Sequence, residues 1–259
     1  MSRTTANAVR HVLCRCLSVA ALAAVAAAEG TAVAEETAVA EEAALAEAAA
    51  STAELHYDAQ VAWFHAGIIE MTLQEDEDRY ELSGLVTTSG AMNRLFKWRG
   101  QFAATGRFVE GMPRTNAYLL LEDDGETREV LLAFGDKTTI HATDDESEEL
   151  PIPPGSDLMS IMFLAPHCLG TTTVHDGEDA YRIVPERTSE RKLNQGSRYY
   201  SGPTVRCDYR FRYVDGSTRR VSVWMADARG PRFPVRIQIR VPLLPDGILR
   251  LRIDRPSGS

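Results

Sequence analysis

Between Val205 and Ile253 the chain carries an alternation that constrains its fold more than any other feature. In Val205-Arg206-Cys207-Asp208-Tyr209-Arg210-Phe211-Arg212-Tyr213 the odd positions are apolar or aromatic and the even positions charged. Successive side chains of a β-strand point to opposite faces, so a period of two means one buried and one solvated face. The alternation returns in Val235-Arg236-Ile237-Gln238-Ile239-Arg240-Val241 and in Leu249-Arg250-Leu251-Arg252-Ile253. This part of the chain is read as strands with apolar side chains on one face and arginines on the other.

Upstream, short apolar or alternating runs are separated by turn residues. His56 to Phe64 and Ile69 to Leu73 suggest a hairpin turning at Ala66-Gly67, followed by runs at Tyr80–Thr88, Leu95–Arg99, Gln101–Phe108, Asn116–Leu121, Glu129–Phe134 and Thr138–His141. Breaks such as Glu122-Asp123-Asp124-Gly125 and Gly135-Asp136-Lys137 are short, which implies an antiparallel meander. Asp144 to Pro154 reads as a charged, proline-rich loop. Ser156-Asp157 then offers capping side chains to Leu158–Leu164, an all-round apolar run expected to be a short helix buried against the sheet. Strands follow at Thr172–His175 and Ala180–Val184, with turns at Asp176-Gly177, Asp215-Gly216-Ser217 and Pro245-Asp246-Gly247. The expected fold is mainly β: an antiparallel meander forming a curved sheet, half-barrel or barrel with one short buried helix.

Not all 259 residues belong to that domain. Arg3, Arg10 and Arg15 precede an apolar run from Leu17 to Ala28 that ends in three alanines, the layout of a signal peptide over residues 1–28. The run falls short of the roughly 20 apolar residues that a spanning helix needs, which favours cleavage over a retained anchor. Residues 29–54 hold seven glutamates, no basic residue and a direct repeat of Thr-Ala-Val-Ala-Glu-Glu, and read as an acidic low-complexity spacer. The single β-rich domain then covers residues 55–255. Export, most simply to a periplasm, leaves Cys168 and Cys207 in an oxidising compartment, where such a pair forms one disulfide or else packs as two half-buried thiols.

Three stretches carry a family resemblance: Tyr57-x-x-x-x-Ala62-Trp63 with Gly67 after it; the Cys168 loop leading to Val174-His175-Asp176-Gly177 and Tyr181; and Tyr200-Ser201-Gly202-Pro203-x-x-Arg206-Cys207, closing with Trp224 and Pro234-Val235-Arg236-Ile237. Over about Leu55 to Arg255 the chain resembles a set of exported bacterial proteins, mostly Gram-negative, known as domain of unknown function three-one-zero-eight. That family usually shows Asp-Pro where this chain has Ser156-Asp157-Leu158. The resemblance implies an exported β-rich domain and brings no activity or catalytic residues with it.

Catalytic motifs are sparse. The chain has no GxSxG elbow and no HExxH pair. His167, Cys168, His175 and Asp176 are close in sequence but match no usual metal spacing, so no metal or other cofactor is assigned. His56 and His65 read as surface imidazoles, and Glu75-Asp76-Glu77-Asp78 as solvated turn carboxylates. Arg206, Arg210, Arg212, Arg236 and Arg240, with Arg250 and Arg252 at matching parity, are the candidate anion-binding residues, because guanidinium forks suit phosphate and carboxylate.

The charge distribution sets an alternative beside that reading. Residues 181–259 hold 17 basic and 7 acidic residues, whereas residues 55–180 hold 8 basic and 23 acidic. Carboxylates of the first half, such as Glu70, Glu81 and Glu122, would on this view neutralise the arginines across strands. Nucleic acid is not expected as a partner of an acidic exported chain. The functional expectation is a non-catalytic envelope protein that binds a lipid, glycolipid or envelope polysaccharide. The alternative is an envelope polysaccharide or peptidoglycan hydrolase using His175 and Asp176.

Overall fold

The computed structural model describes residues 51–253, apart from Phe96, Glu126, Glu178, Leu243 and the stretches 135–137, 143–147, 151–154 and 228–231. The segment read as a signal peptide, nearly all of that read as a spacer and most of the Asp144–Pro154 loop lie outside the described residues. In chain order the elements are β1 (Ser51–Val61), β2 (Phe64–Asp76), β3 (Arg79–Thr88), α1 (Gly90–Leu95), β4 (Arg99–Val109), β5 (Met112–Asp123), β6 (Thr127–Phe134), β7 (Thr138–Ala142), β8 (Glu148–Leu150), β9 (Ser156–Asp157), α2 (Leu158–Leu164), β10 (Thr172–His175), β11 (Ala180–Leu193), β12 (Gly202–Tyr213), β13 (Thr218–Asp227), β14 (Arg232–Arg240) and β15 (Gly247–Leu251).

Among the described residues all these strands belong to one sheet, in the order β8-β7-β6-β5-β4-β3-β2-β1-β15-β14-β13-β12-β11-β10-β9. Every pairing is antiparallel except the short β9–β10 contact. The two runs of the meander join where β1 pairs with the last strand, placing Tyr57 opposite Leu251. The sheet is strongly curled. In flat strands β5 and β14 would stand six spacings, about 29 Å, apart. The seven-residue α2 nevertheless touches both.

Curling brings one end of the sheet back onto β5. Ser156 Oγ donates to the Pro113 carbonyl at 2.7 Å, and Thr115 Oγ1 donates to Asp157 Oδ2 at 2.5 Å. Tyr118 OH reaches the Asp176 carbonyl at 3.4 Å. The result is a nearly closed barrel with α2 inside it. Asp157 caps α2 by accepting the Ser160 amide at 2.8 Å, and Ser160 to Leu164 are buried. Phe163 meets the Tyr57 ring edge-on at 5.5 Å, while Tyr57 OH donates to the Pro234 carbonyl at 2.9 Å. The buried helix, the barrel-like sheet and the Cys168–Cys207 disulfide, with a Cα–Cα separation of 5.6 Å, agree with the sequence reading.

Other expectations are corrected. The first hairpin turns at Ala62-Trp63, where Val61 pairs with Phe64 and Ala62 takes a φ of 52°. Gly67 instead lies within β2 against β3, where a Cβ would stand 2.2 Å from the Thr87 carbonyl oxygen. Leu95–Arg99 is not a strand. Its start closes α1, and Trp98 is held by Thr88 on either side of the connection, through Trp98 N to Thr88 Oγ1 at 3.0 Å and Thr88 N to the Trp98 carbonyl at 3.1 Å. β11 runs on to Leu193 through a register shift between Pro185 and Arg187, and β1 begins at Ser51.

Candidate functional site

The outward face of β12 to β15 places arginines in lateral rows. Arg206 is opposite Trp224, Trp224 opposite Arg236, Arg236 opposite Arg250, and Arg250 opposite Asp58 of β1. Flanking residues on the same strands, Cys207, Val223, Val235, Ile237 and Leu251, are buried, so alternation turns this row outward. Trp224 is nevertheless only 6% exposed. The Arg206 and Arg236 guanidinium carbons lie 4.9 and 4.8 Å from its ring centroid and cover it.

Beyond Arg250 the β11–β12 connection lies across the row. Tyr200 N bonds the Leu251 carbonyl at 3.3 Å and Ile253 N bonds the Arg198 carbonyl at 3.0 Å. This lays Tyr199 beneath Arg250, whose guanidinium carbon is 5.6 Å from the ring centroid. Asp58, wholly buried, accepts Tyr199 OH at 2.7 Å and pairs with Arg198 at 3.1 Å through the same oxygen. The Asp58 carboxylate is therefore directed to Arg198 rather than to Arg250.

The five predicted arginines separate. Arg206 pairs with Asp208 at 2.7 Å, Arg210 with Glu186, and Arg240 with Asp246 at 3.5 Å. Arg212 is exposed and stands opposite Arg182. Arg236 has no carboxylate partner among the described residues. Burial and then the neighbouring Arg250, Arg206 and Arg240 charges lower its pKa from the ordinary value. The Nε atoms of Arg236 and Arg250 are buried without an acceptor.

The expected neutralisation by the first half is corrected by the sheet order. Strands β12 to β14 have neighbours only from the second half, so cross-strand acids must come from there. Glu70 faces His56 at 3.7 Å and Glu122 faces Arg128 at 3.4 Å. Arg198 and Asp58 do pair an arginine of the second half with a carboxylate of the first. Arg220 was not singled out in the sequence, although it stands between Arg210 and Arg240 in a second arginine row. Its position becomes visible only once β13 is paired.

His175 and Asp176 do not form a site at a cleft mouth. Both are buried, His175 Nδ1 accepts the Gly177 amide at 3.0 Å, and Asp176 Oδ1 accepts the Asp179 amide at 2.9 Å. Their polar atoms shape the turn before β11. Cys168 is held in the disulfide and is not available as a ligand beside them. One further chain of groups escaped the sequence reading: Ser89 Oγ contacts His65 Nδ1 at 2.7 Å, and His65 Nε2 lies 3.5 Å from Asp58 Oδ1. It orders the β2–β3 end of the sheet against the buried carboxylate.

Fold and site define a nearly closed β-barrel with a helical plug and a cationic outer row. The chain belongs to the family "protein of unknown function (DUF3108)", whose model matches residues 54–251. No curated protein matches the chain. Among solved structures it is similar to a β-barrel-like protein of the DUF1849 family from Brucella abortus. That match has 10% identity and a TM-score of 0.47, covering 78% of this chain and 97% of the other. A DUF1329 family protein from Desulfovibrio piger also matches, at 9% identity and a TM-score of 0.23, covering 85% of this chain and 92% of the other. Among the described residues no helix is long and apolar enough to cross a membrane.

Proposed function

We propose that this chain is an exported, non-catalytic cell-envelope domain that binds an anionic group of an envelope lipid, glycolipid or polysaccharide on the Arg206–Trp224–Arg236–Arg250 row. One observation carries the reading: Arg236 and Arg250 are directly opposed across β14 and β15 with no carboxylate between them. Like charges opposed in a sheet destabilise it, and a buried Nε without an acceptor adds to that cost. A phosphate or carboxylate seated across the pair supplies both the countercharge and the acceptors. The packing of α2 within the barrel supports an outer-face ligand over one in the interior. The disulfide suits an oxidising compartment.

Thermal unfolding of the full chain in inorganic phosphate, compared with chloride at matched ionic strength, tests the row. Phosphate is expected to raise the Tm beyond chloride, because a ligand bound only to the native state stabilises it by mass action. Arg236→Gln and Arg250→Gln are each expected to remove that excess. Retention of the full excess in both variants rejects the site.

A further inference from the structure

The turn joining β1 and β2 holds large aromatic side chains in water. Trp63 is 83% exposed and Phe64 47%, with ring centroids 5.1 Å apart. The backbone beneath them is fixed. Ala62 adopts a φ of 52°, and its amide donates to the Asp246 carbonyl at 3.1 Å, tying the turn to the β14–β15 connection. That connection carries Leu244, itself exposed.

The surroundings are basic. On one side α1 packs against β2 and brings the exposed Arg94, with Lys97 following it. On the other side stands Arg240, 46% exposed. The nearby acidic groups are taken up: Asp246 is engaged by Gln238 and Arg240, and Asp58 is buried and paired with Arg198. Aromatic side chains on a fixed turn, flanked by cations, match the interfacial layer of a bilayer, where rings settle among the headgroups and basic side chains meet phosphates.

We infer that this end of the barrel is a docking tip for an anionic phospholipid surface. Trp63 and Phe64 enter the headgroup layer, and Arg94, Lys97 and Arg240 face its phosphates. The inference uses residues outside the Arg206–Trp224–Arg236–Arg250 row, so either can fail without the other.

Vesicles of phosphatidylglycerol and phosphatidylethanolamine, mixed with the full chain, provide the test through tryptophan fluorescence and co-sedimentation. Trp98 and Trp224 are 2% and 6% exposed, so long-wavelength emission reports Trp63. Vesicles are expected to shift that emission to the blue. Binding to phosphatidylcholine vesicles, and binding of the Trp63→Ser/Phe64→Ser variant to anionic vesicles, should each be weaker by about tenfold or more. Arg107→Gln, exposed near the far end of β4, should bind vesicles as the wild type does. Three results overturn the tip: no blue shift with anionic vesicles, undiminished co-sedimentation of the double variant, or the same shift from soluble glycerophosphate. A blue shift produced by raising protein concentration without vesicles also overturns it and assigns the surface to a second copy of the chain.

Discussion

His175 shows how much a single buried group can report. Burial, opposed by the nearby Asp179 charge, lowers its pKa from the ordinary 6.5 to about 4. Below pH 6.5 the unfolded chain takes up a proton that the folded chain refuses, so stability present above pH 6.5 is lost as pH falls toward 4. The loss is up to about 3 kcal/mol. His175→Asn keeps an acceptor for the Gly177 amide, and chemical denaturation across this range should show the acid-side fall flattened. Asp157 has the opposite sign. Burial raises its pKa against the hydrogen bonds from Ser160 and Thr115, so the folded state favours the protonated form and loses that stability as pH rises above the ordinary carboxylate value. Asp157→Asn should therefore equal or exceed the wild type in stability at neutral pH. Asp157→Ala should lose about 1 to 2 kcal/mol with the helix cap. The capping role was legible from Ser156-Asp157 preceding an apolar run. Neither titration was, because both depend on burial created by β5 and β9 meeting across the closed barrel.

Elements were legible where one face is buried and the other wet. β12, β14 and β15 show the alternation directly, whereas β13 is buried continuously from Val221 to Ala226 and carries no clean period. Its outward Trp224 is apolar because arginines from the adjacent strands cover it. The β1–β2 turn was misplaced because a two-residue turn with positive φ usually advertises itself by Gly, Asn or Asp, and here Ala62 takes the position. α2 was found because its cap and apolar run agree, and its burial makes it the barrel's packing unit. Phe163→Ala removes the ring against Tyr57 and should cost about 3 to 5 kcal/mol, measured by denaturant unfolding. The loop after α2 is tied to β12 by the disulfide and by Leu169 N donating to Tyr209 OH at 2.8 Å. Reduction should cost about 3 to 4 kcal/mol for the 39-residue separation, read as a lower Tm in reductant and absent in a Cys168→Ser/Cys207→Ser variant.

At the scale of the whole molecule, residue counts and sheet order give opposite expectations for salt. Counted by halves, the chain carries a surplus of ten positive charges after Tyr181 and fifteen negative charges between Leu55 and Ala180. Mutual attraction of the halves would be screened by salt, and stability would fall. The sheet instead brings arginines together. Arg182 is opposite Arg212, Arg210 opposite Arg220, Arg220 opposite Arg240, and Arg236 opposite Arg250. Glu186 and Asp246 relieve part of the second row, while Arg236 and Arg250 keep their repulsion. Coulomb energy falls with distance, so exposed neighbours at strand spacing repel more strongly than the mostly more distant charges of the two halves attract. Screening therefore relieves more local repulsion than it removes attraction. Sodium chloride should stabilise the fold by about 1 kcal/mol between low and moderate ionic strength, the sum expected of a few like-charged cross-strand pairs. Arg236→Gln should be more stable than the wild type at low salt and should lose that advantage as salt rises. Denaturant midpoints measured across the salt series decide the matter: a midpoint that falls with chloride in the wild type would mean that attraction between the halves governs the domain.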